Sequence, residues 1–175
     1  YNISQNDREG IYFYGFERER SADHVYIYNN THYVSKDCDV EVFCENRTPI
    51  NSVFENNIFY FEGKGRWGKN SRGINTTFNN NLYFNIAPHE SDRNPVVADP
   101  LFEASGQGGS RIDMRTRESL LGYRLASNSP CIDAGSIIPE NGGLDFRGNR
   151  ITDNKPDIGA HEWGADPIKA FPDAQ

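Results

Sequence analysis

Several things are scarce in this chain. There are three cysteines in 175 residues, Cys38, Cys44 and Cys131, an odd number with no zinc-site spacing. Cys38 and Cys44 either pair in an oxidising compartment or stay free thiols. Alanine and leucine are few and there is one methionine, a balance that disfavours helices. No window approaches 18 apolar residues, which excludes a membrane-spanning helix, and the mean hydropathy is -0.74. Positive charge is short: 18 Lys and Arg stand against 25 Asp and Glu, for a net charge of -7. That balance argues against general nucleic-acid binding. No P-loop, dinucleotide fingerprint or Ser-His-Asp spacing is present. The sequence opens inside patterned residues, with no Met and no signal peptide. The expectation is a processed or excised C-terminal piece, whose partner is the N-terminal part of the same protein.

Asparagine, tyrosine, phenylalanine and isoleucine are plentiful, with 16 Gly and 9 Pro. This composition favours strands and turns. The asparagines recur. Ile27-Tyr28-Asn29-Asn30-Thr31-His32-Tyr33 aligns with Phe54-Glu55-Asn56-Asn57-Ile58-Phe59-Tyr60, and that with Phe78-Asn79-Asn80-Asn81-Leu82-Tyr83-Phe84. A weaker match, Ile3-Ser4-Gln5-Asn6-Asp7, comes first. Asn6, Asn30, Asn57 and Asn81 are then spaced by 24, 27 and 24 residues. A strand-like repeat of this length predicts a solenoid.

In such a solenoid, Ile3, Ile27, Phe54 and Phe78 would form one inward column. Thr31, Ile58 and Leu82 would form a second, and Tyr33, Tyr60 and Phe84 a third. Coils of a parallel β-helix lie about 4.8 Å apart, so like residues meet in this way. Asparagine suits the bends, because it accepts left-handed φ/ψ, and its amide can bond the amide of the next coil. Gly10–Gly15 and Val40–Phe43 are further strand candidates. The coils are expected over 1–85. Residues 86–175 are expected to form an irregular loop and capping segment of the same domain, with a helical turn near Arg117–Leu121.

The second half carries an ordered set of motifs: Ala98-Asp99-Pro100-Leu101-Phe102, Tyr123-Arg124-Leu125, Ser129-Pro130-Cys131-Ile132-Asp133-Ala134-Gly135, Asp145-Phe146-Arg147-Gly148-Asn149-Arg150 and Asp157-Ile158-Gly159-Ala160-His161-Glu162. This set resembles the C-terminal end of secreted right-handed parallel β-helix proteins. Among these are polysaccharide lyases, glycoside hydrolases and surface proteins. The resemblance implies an all-β, right-handed parallel β-helix, and a secreted, periplasmic or cell-surface location. It does not name a substrate. Cys131 departs from the small residue usual at its position. Asp133, Asp145 and Asp157 are read as turn-fixing carboxylates. The other reading is a calcium site, but the regular calcium-loop pattern is absent. The tail is expected to cover the open end of the solenoid.

A β-helix flank is a shallow groove suited to a polysaccharide or oligosaccharide. Hydrolysis there needs two carboxylates, whereas elimination needs a base and a charge neutraliser. Asp7 and Glu9 are the candidate acid and base, with Arg8 between them and Glu17-Arg18-Glu19-Arg20 close by. The plainer reading of these residues is solvated turn charge. The stretch from Glu62 to Gly73, with four glycines, is expected to be a flexible loop and holds four basic residues around an indole. Lys64, Arg66, Trp67 and Lys69 there are candidate ligands for an anionic sugar. In the plainer reading Trp67 folds back onto the coil. His32 would face outward, beside them, unless a bend changes the parity. The functional expectation is cleavage of glycosidic bonds, by hydrolysis or elimination. The rival from another class is a non-catalytic β-helix acting as a glycan-binding module or adhesin.

Overall fold

A computed structural model describes residues 1–6, 23–43, 48–69, 71–106, 117–151 and 154–164. Ten strands are present: β1 (Ile3–Gln5), β2 (Tyr26–Tyr28), β3 (Thr31–Val34), β4 (Asp39–Val42), β5 (Val53–Glu55), β6 (Ile58–Phe61), β7 (Lys64–Trp67), β8 (Thr77–Asn79), β9 (Leu82–Phe84) and β10 (Val96–Val97). They form three sheets, ordered β1-β3-β6-β9-β10, β2-β5-β8 and β4-β7. Every strand pair is parallel. Successive repeats therefore add one strand each to the same sheets. A 3-10 helix, Arg117–Tyr123, stands where the helical turn is expected. Among the described residues there is no α-helix, and no helix is long and apolar enough to cross a membrane. The GIYFYG segment lies outside the described residues.

The asparagines turn the corners between β2 and β3, β5 and β6, and β8 and β9. Asn29, Asn56 and Asn80 adopt φ of 51, 54 and 55°, a left-handed conformation that asparagine tolerates. The next residue of each repeat builds a ladder through the interior. The Asn30 amide donates to Asn57 Oδ1 at 2.9 Å, and the Asn57 amide to Asn81 Oδ1 at 2.9 Å. Asp92 Oδ2 ends it, accepting from the Asn81 amide at 2.8 Å and from the Tyr83 hydroxyl at 2.6 Å. At the other end the partner is Asn2, whose amide donates to Asn30 Oδ1 at 2.9 Å. The first repeat is thus in a different register from the one its asparagine suggests. Ile3 pairs with Thr31, not Ile27, and Asn6 instead accepts from the Ser35 N–H at 2.8 Å.

The left-handed corner also inverts the parity of the strand that follows it, because alternate side chains of a strand face opposite sides. Phe54 and Phe78 point inward as expected and stack at 4.5 Å. The inward column of the large sheet, however, is His32, Phe59 and Tyr83, with Phe59 and Tyr83 fully buried beside Phe54 and Phe78. The Thr31, Ile58, Leu82 and Tyr33, Tyr60, Phe84 columns occupy the opposite face. All but the half-buried Phe84 are buried all the same, because the tail lies over them. Leu120, Tyr123, Leu125, Cys131 and Ile158 pack with Tyr33, Ile58, Tyr60 and Leu82 in a second core.

The tail therefore covers the flank of the coils and not their end. It is tied down by backbone bonds. The Gly159 N–H donates to Asn56 O at 2.8 Å, and the Ala160 N–H to Thr31 Oγ1 at 3.2 Å. The Asn80 amide donates to Ala134 O at 2.7 Å. The end of the coils is closed by the segment after β9. There His89 stacks on Phe78 at 3.7 Å, and Trp67 Nε1 donates to Ala87 O at 2.8 Å.

His89 is buried, and burial pulls its imidazole below the ordinary value of 6.5. The unfolded chain takes up that proton first. Stability from neutral His89 is complete above pH 6.5 and is lost as pH falls through that value toward the folded pKa. Thermal unfolding followed across this range should show a falling midpoint. His89→Phe, which keeps a ring on Phe78 and carries no proton, should show a shallower fall.

The tail carboxylates receive N–H donors. Asp145 Oδ1 accepts from the N–H groups of Arg147 and Asn149, both at 2.8 Å. Its Oδ2 accepts from the Glu162 N–H at 3.0 Å. Asp157 accepts from the N–H groups of Asp133 at 2.8 Å and Trp163 at 2.6 Å. These residues hold turns together. Among the described residues no three His, Cys, Asp or Glu side chains converge as a metal site would require. Cys38 and Cys131 are free thiols, and burial pushes that of Cys131 up to about 12.

Candidate functional site

The stretch expected to be a flexible basic loop contains a strand. Residues 64–67 alternate charged and apolar, and β7 pairs with β4 so that Asp39 faces Lys64 and Glu41 faces Arg66. Val40 and Val42 point inward and are buried, so Asp39, Glu41, Lys64 and Arg66 share the outer face. Gly65 takes an inward position directly against the Phe61 ring, where a Cβ would collide with Cδ1 and Cε1. The glycine that suggested a loop is a packing requirement of a strand.

Trp67 also turns inward. Its ring stacks on Phe43 at 5.7 Å and meets Phe59, Phe78, Tyr83 and His89 edge-on. The plainer reading of its role is the one its position fits. Arg66 donates to Asp39 Oδ1 at 2.5 Å and to Glu41 Oε2 at 3.1 Å. Those two carboxylates raise its pKa, Asp39 most strongly, and take up the cation that a sugar acid would need. Lys64 and Lys69 are exposed. His32 faces the interior, stacked on Phe59 at 5.3 Å with 12° between the rings. This is the opposite of its expected direction, for the reason of parity given above.

Asp7, Arg8 and Glu9 lie outside the described residues, as does the Glu17–Arg20 cluster. Their point of attachment is defined. The chain leaves β1 through Asn6, which has a φ of 57° and donates its N–H to Tyr33 O at 2.9 Å. Two strands further along the same sheet, just after β6, stands Glu62, whose N–H donates to Val34 O at 2.8 Å. Glu62 Oε2 accepts from the Tyr33 hydroxyl at 3.1 Å, and Oε1 from Ser105 Oγ at 3.4 Å. Tyr33 stacks on Tyr60 at 5.7 Å, and Tyr123 bonds Gln5 through its hydroxyl. Burial and then the Glu62 charge push the Tyr33 hydroxyl up to about 12, so it stays a proton donor to the carboxylate.

This corner holds a half-buried carboxylate with two hydroxyl donors, at the end of the same sheet from which the chain leaves through Asn6. A carboxylate placed in this way can take or give a proton, or orient a sugar hydroxyl. The sequence signal for it was faint. Glu62 was visible only as the first residue of a basic stretch, and its partner Ser105 lies 43 residues away.

Parallel strands stacked in register, with an apolar interior and polar corners, place this chain among all-β proteins with parallel sheets. No protein-family model matches it. The chain is similar to a lacto-N-biosidase of Bifidobacterium longum subsp. longum, with 34% identity over 182 aligned positions. The match takes in 93% of this chain and 11% of that protein. The chain thus spans about a tenth of the length of the curated relative it matches.

Proposed function

We propose that this chain is the C-terminal part of a right-handed parallel β-helix glycoside hydrolase, exported from the cell, that cleaves glycosidic bonds in an oligosaccharide or polysaccharide. The observation that carries this reading is the similarity, along nearly the whole chain, to a protein whose name denotes a glycosidase. The stacked parallel register supports the β-helix. Hydrolysis is preferred to elimination because the central cation of the basic stretch, Arg66, is already bonded to two carboxylates. Elimination would need such a cation for the uronate.

In this reading Asp7 and Glu9 are the acid and base, and Glu62 orients the sugar at the adjacent corner. Arg8, Lys64 and Lys69 are ligands at the rim. His32, Arg66 and Trp67 support the site from within the coil and its outer face. The two acids would stand about 5 Å apart for retention, or about 6.5–9.5 Å for inversion.

The test is to incubate the parent protein with neutral and uronic-acid glycans, reading reducing ends and absorbance near 235 nm together. New ends without absorbance are expected. Asp7→Asn and Glu9→Gln should each lower the rate by about 100-fold or more. New ends with absorbance would mean elimination. No product on a broad panel would move the protein to the non-catalytic glycan-binding class.

A further inference from the structure

The turns of the tail enclose a cavity of about 260 Å³, among whose lining residues are Glu103, Arg124, Arg147, Asn149, His161 and Trp163. No role described above uses it. Its polar atoms are arranged unusually. Asn149 is 3% exposed, and its amide Nδ2 donates to Asp145 Oδ2 at 2.9 Å. That bond directs Oδ1 the other way, where it has no hydrogen-bond partner among the described residues. Neither ring nitrogen of His161 has a partner there either. Buried polar groups are nearly always paired, so an orphaned acceptor beside an orphaned imidazole points to a ligand.

The charges narrow the class. Burial drives the His161 pKa down to about 4, so the neutral ring offers one donor and one acceptor. Asn149 Oδ1 and Glu103 add acceptors, and Arg124 adds a guanidinium donor. An inorganic anion has only acceptor oxygens and would meet two acceptors with nothing to give them. A sugar hydroxyl is both donor and acceptor. Trp163 is 46% exposed at the edge, and its backbone N–H donates to Asp157 Oδ2 at 2.6 Å, which anchors the chain beneath the side chain. An exposed indole gives a flat apolar face to a pyranose. The exposed Arg124 guanidinium then suits a carboxylate on that ring. The volume sits just below the usual range of roughly 300–1,000 Å³ for ligand pockets, which fits one sugar residue and not a polymer.

We propose that the tail pocket binds a single sugar residue carrying a carboxylate, gripped by Arg124 and stacked on Trp163. This stands apart from whether the protein is a hydrolase.

The experiment is calorimetric titration of the intact protein with D-glucuronate, D-glucose and sulfate. Glucuronate should bind in the millimolar range, with glucose and sulfate at least tenfold weaker. Arg124→Gln and Trp163→Ala are substitutions of exposed side chains and should leave the melting temperature unchanged. Each should weaken glucuronate at least tenfold. Four outcomes would overturn the proposal: no glucuronate binding, glucose binding equally well, sulfate binding equally well, or glucuronate affinity unchanged in both variants.

Discussion

Asn57→Ala should lower the free energy of unfolding by about 3–6 kcal/mol, because it orphans buried donors on the coil before it. Each buried polar group left without a partner costs about 1–3 kcal/mol. Asn57 is fully buried. Its Oδ1 accepts both the backbone N–H of Asn30 at 3.1 Å and the Asn30 amide at 2.9 Å. Its own amide donates to Ile27 O at 2.9 Å and Asn81 Oδ1 at 2.9 Å. Alanine removes all four bonds, and the coils are too closely stacked for water to replace them. Single domains are stable by about 5–15 kcal/mol, so this one substitution should remove a large share of the total.

Urea denaturation measures this directly. Asn79→Ala is the control. Asn79 lies at a half-buried position, its amide donating to Glu55 Oε1 at 2.7 Å and Ser136 Oγ at 3.4 Å and its Oδ1 accepting from the Asn94 amide at 2.8 Å. Water can replace these bonds at the surface, so their loss should cost about 1–2 kcal/mol. Equal losses in the two variants would mean that the interior ladder has no special weight.

Gly159→Ala should cost about 2–6 kcal/mol and release the tail before the coils unfold. Gly159 has φ of 104°, a conformation that costs an L-residue about 1–3 kcal/mol. A Cβ there would lie 2.5 Å from Ile58 Cδ1 and 3.2 Å from Thr31 Oγ1. Ile58 and Thr31 are buried and cannot swing clear, so overpacking adds about 1–3 kcal/mol. Gly142 separates the two effects. It has φ of 87° with nothing near its missing Cβ, so Gly142→Ala should cost only the conformational part. Hydrogen exchange would show where the damage falls. The Gly159 and Ala160 amides should lose protection in Gly159→Ala, while Ile58 and Leu82 keep theirs. Protection lost evenly across the chain would contradict a separately docked tail.

The repeat made much of the coil region legible, and the reasons are local. Asparagine at a left-handed corner and aromatic residues in register leave a mark every 24 to 27 residues. Facing was not legible for the large sheet. An Asn corner shifts strand parity by one. The outer columns Tyr33-Tyr60-Phe84 and Thr31-Ile58-Leu82 are as apolar as the inner one, because the tail buries them. When both faces of a sheet are covered, hydrophobicity no longer tells inside from outside.

The Lys64–Trp67 strand was hidden by its glycines, although the alternation of Lys64, Gly65, Arg66 and Trp67 carried the right period. The Glu62 corner was hidden for another reason. Its hydroxyl partners come from Tyr33 and Ser105, and nothing local to Glu62 brings them together.

The tail that lies along the flank also sets an order of events. Tyr123 bonds Gln5 across 118 residues, Ala160 bonds Thr31 across 129, and Asn141 bonds the Tyr1 hydroxyl across 140. Closing such long loops is slow, and the cost is met only when the far contacts form. On the ribosome the coils emerge first, with Ile58, Tyr60 and Leu82 still facing water. Their final partners, up to Ile158 and Ala160, leave the exit tunnel about a hundred residues later. At about 5–20 residues per second this leaves an apolar sheet uncovered for about 5–20 seconds. The topology of this chain therefore exposes its second core to water, and to other chains, throughout that interval.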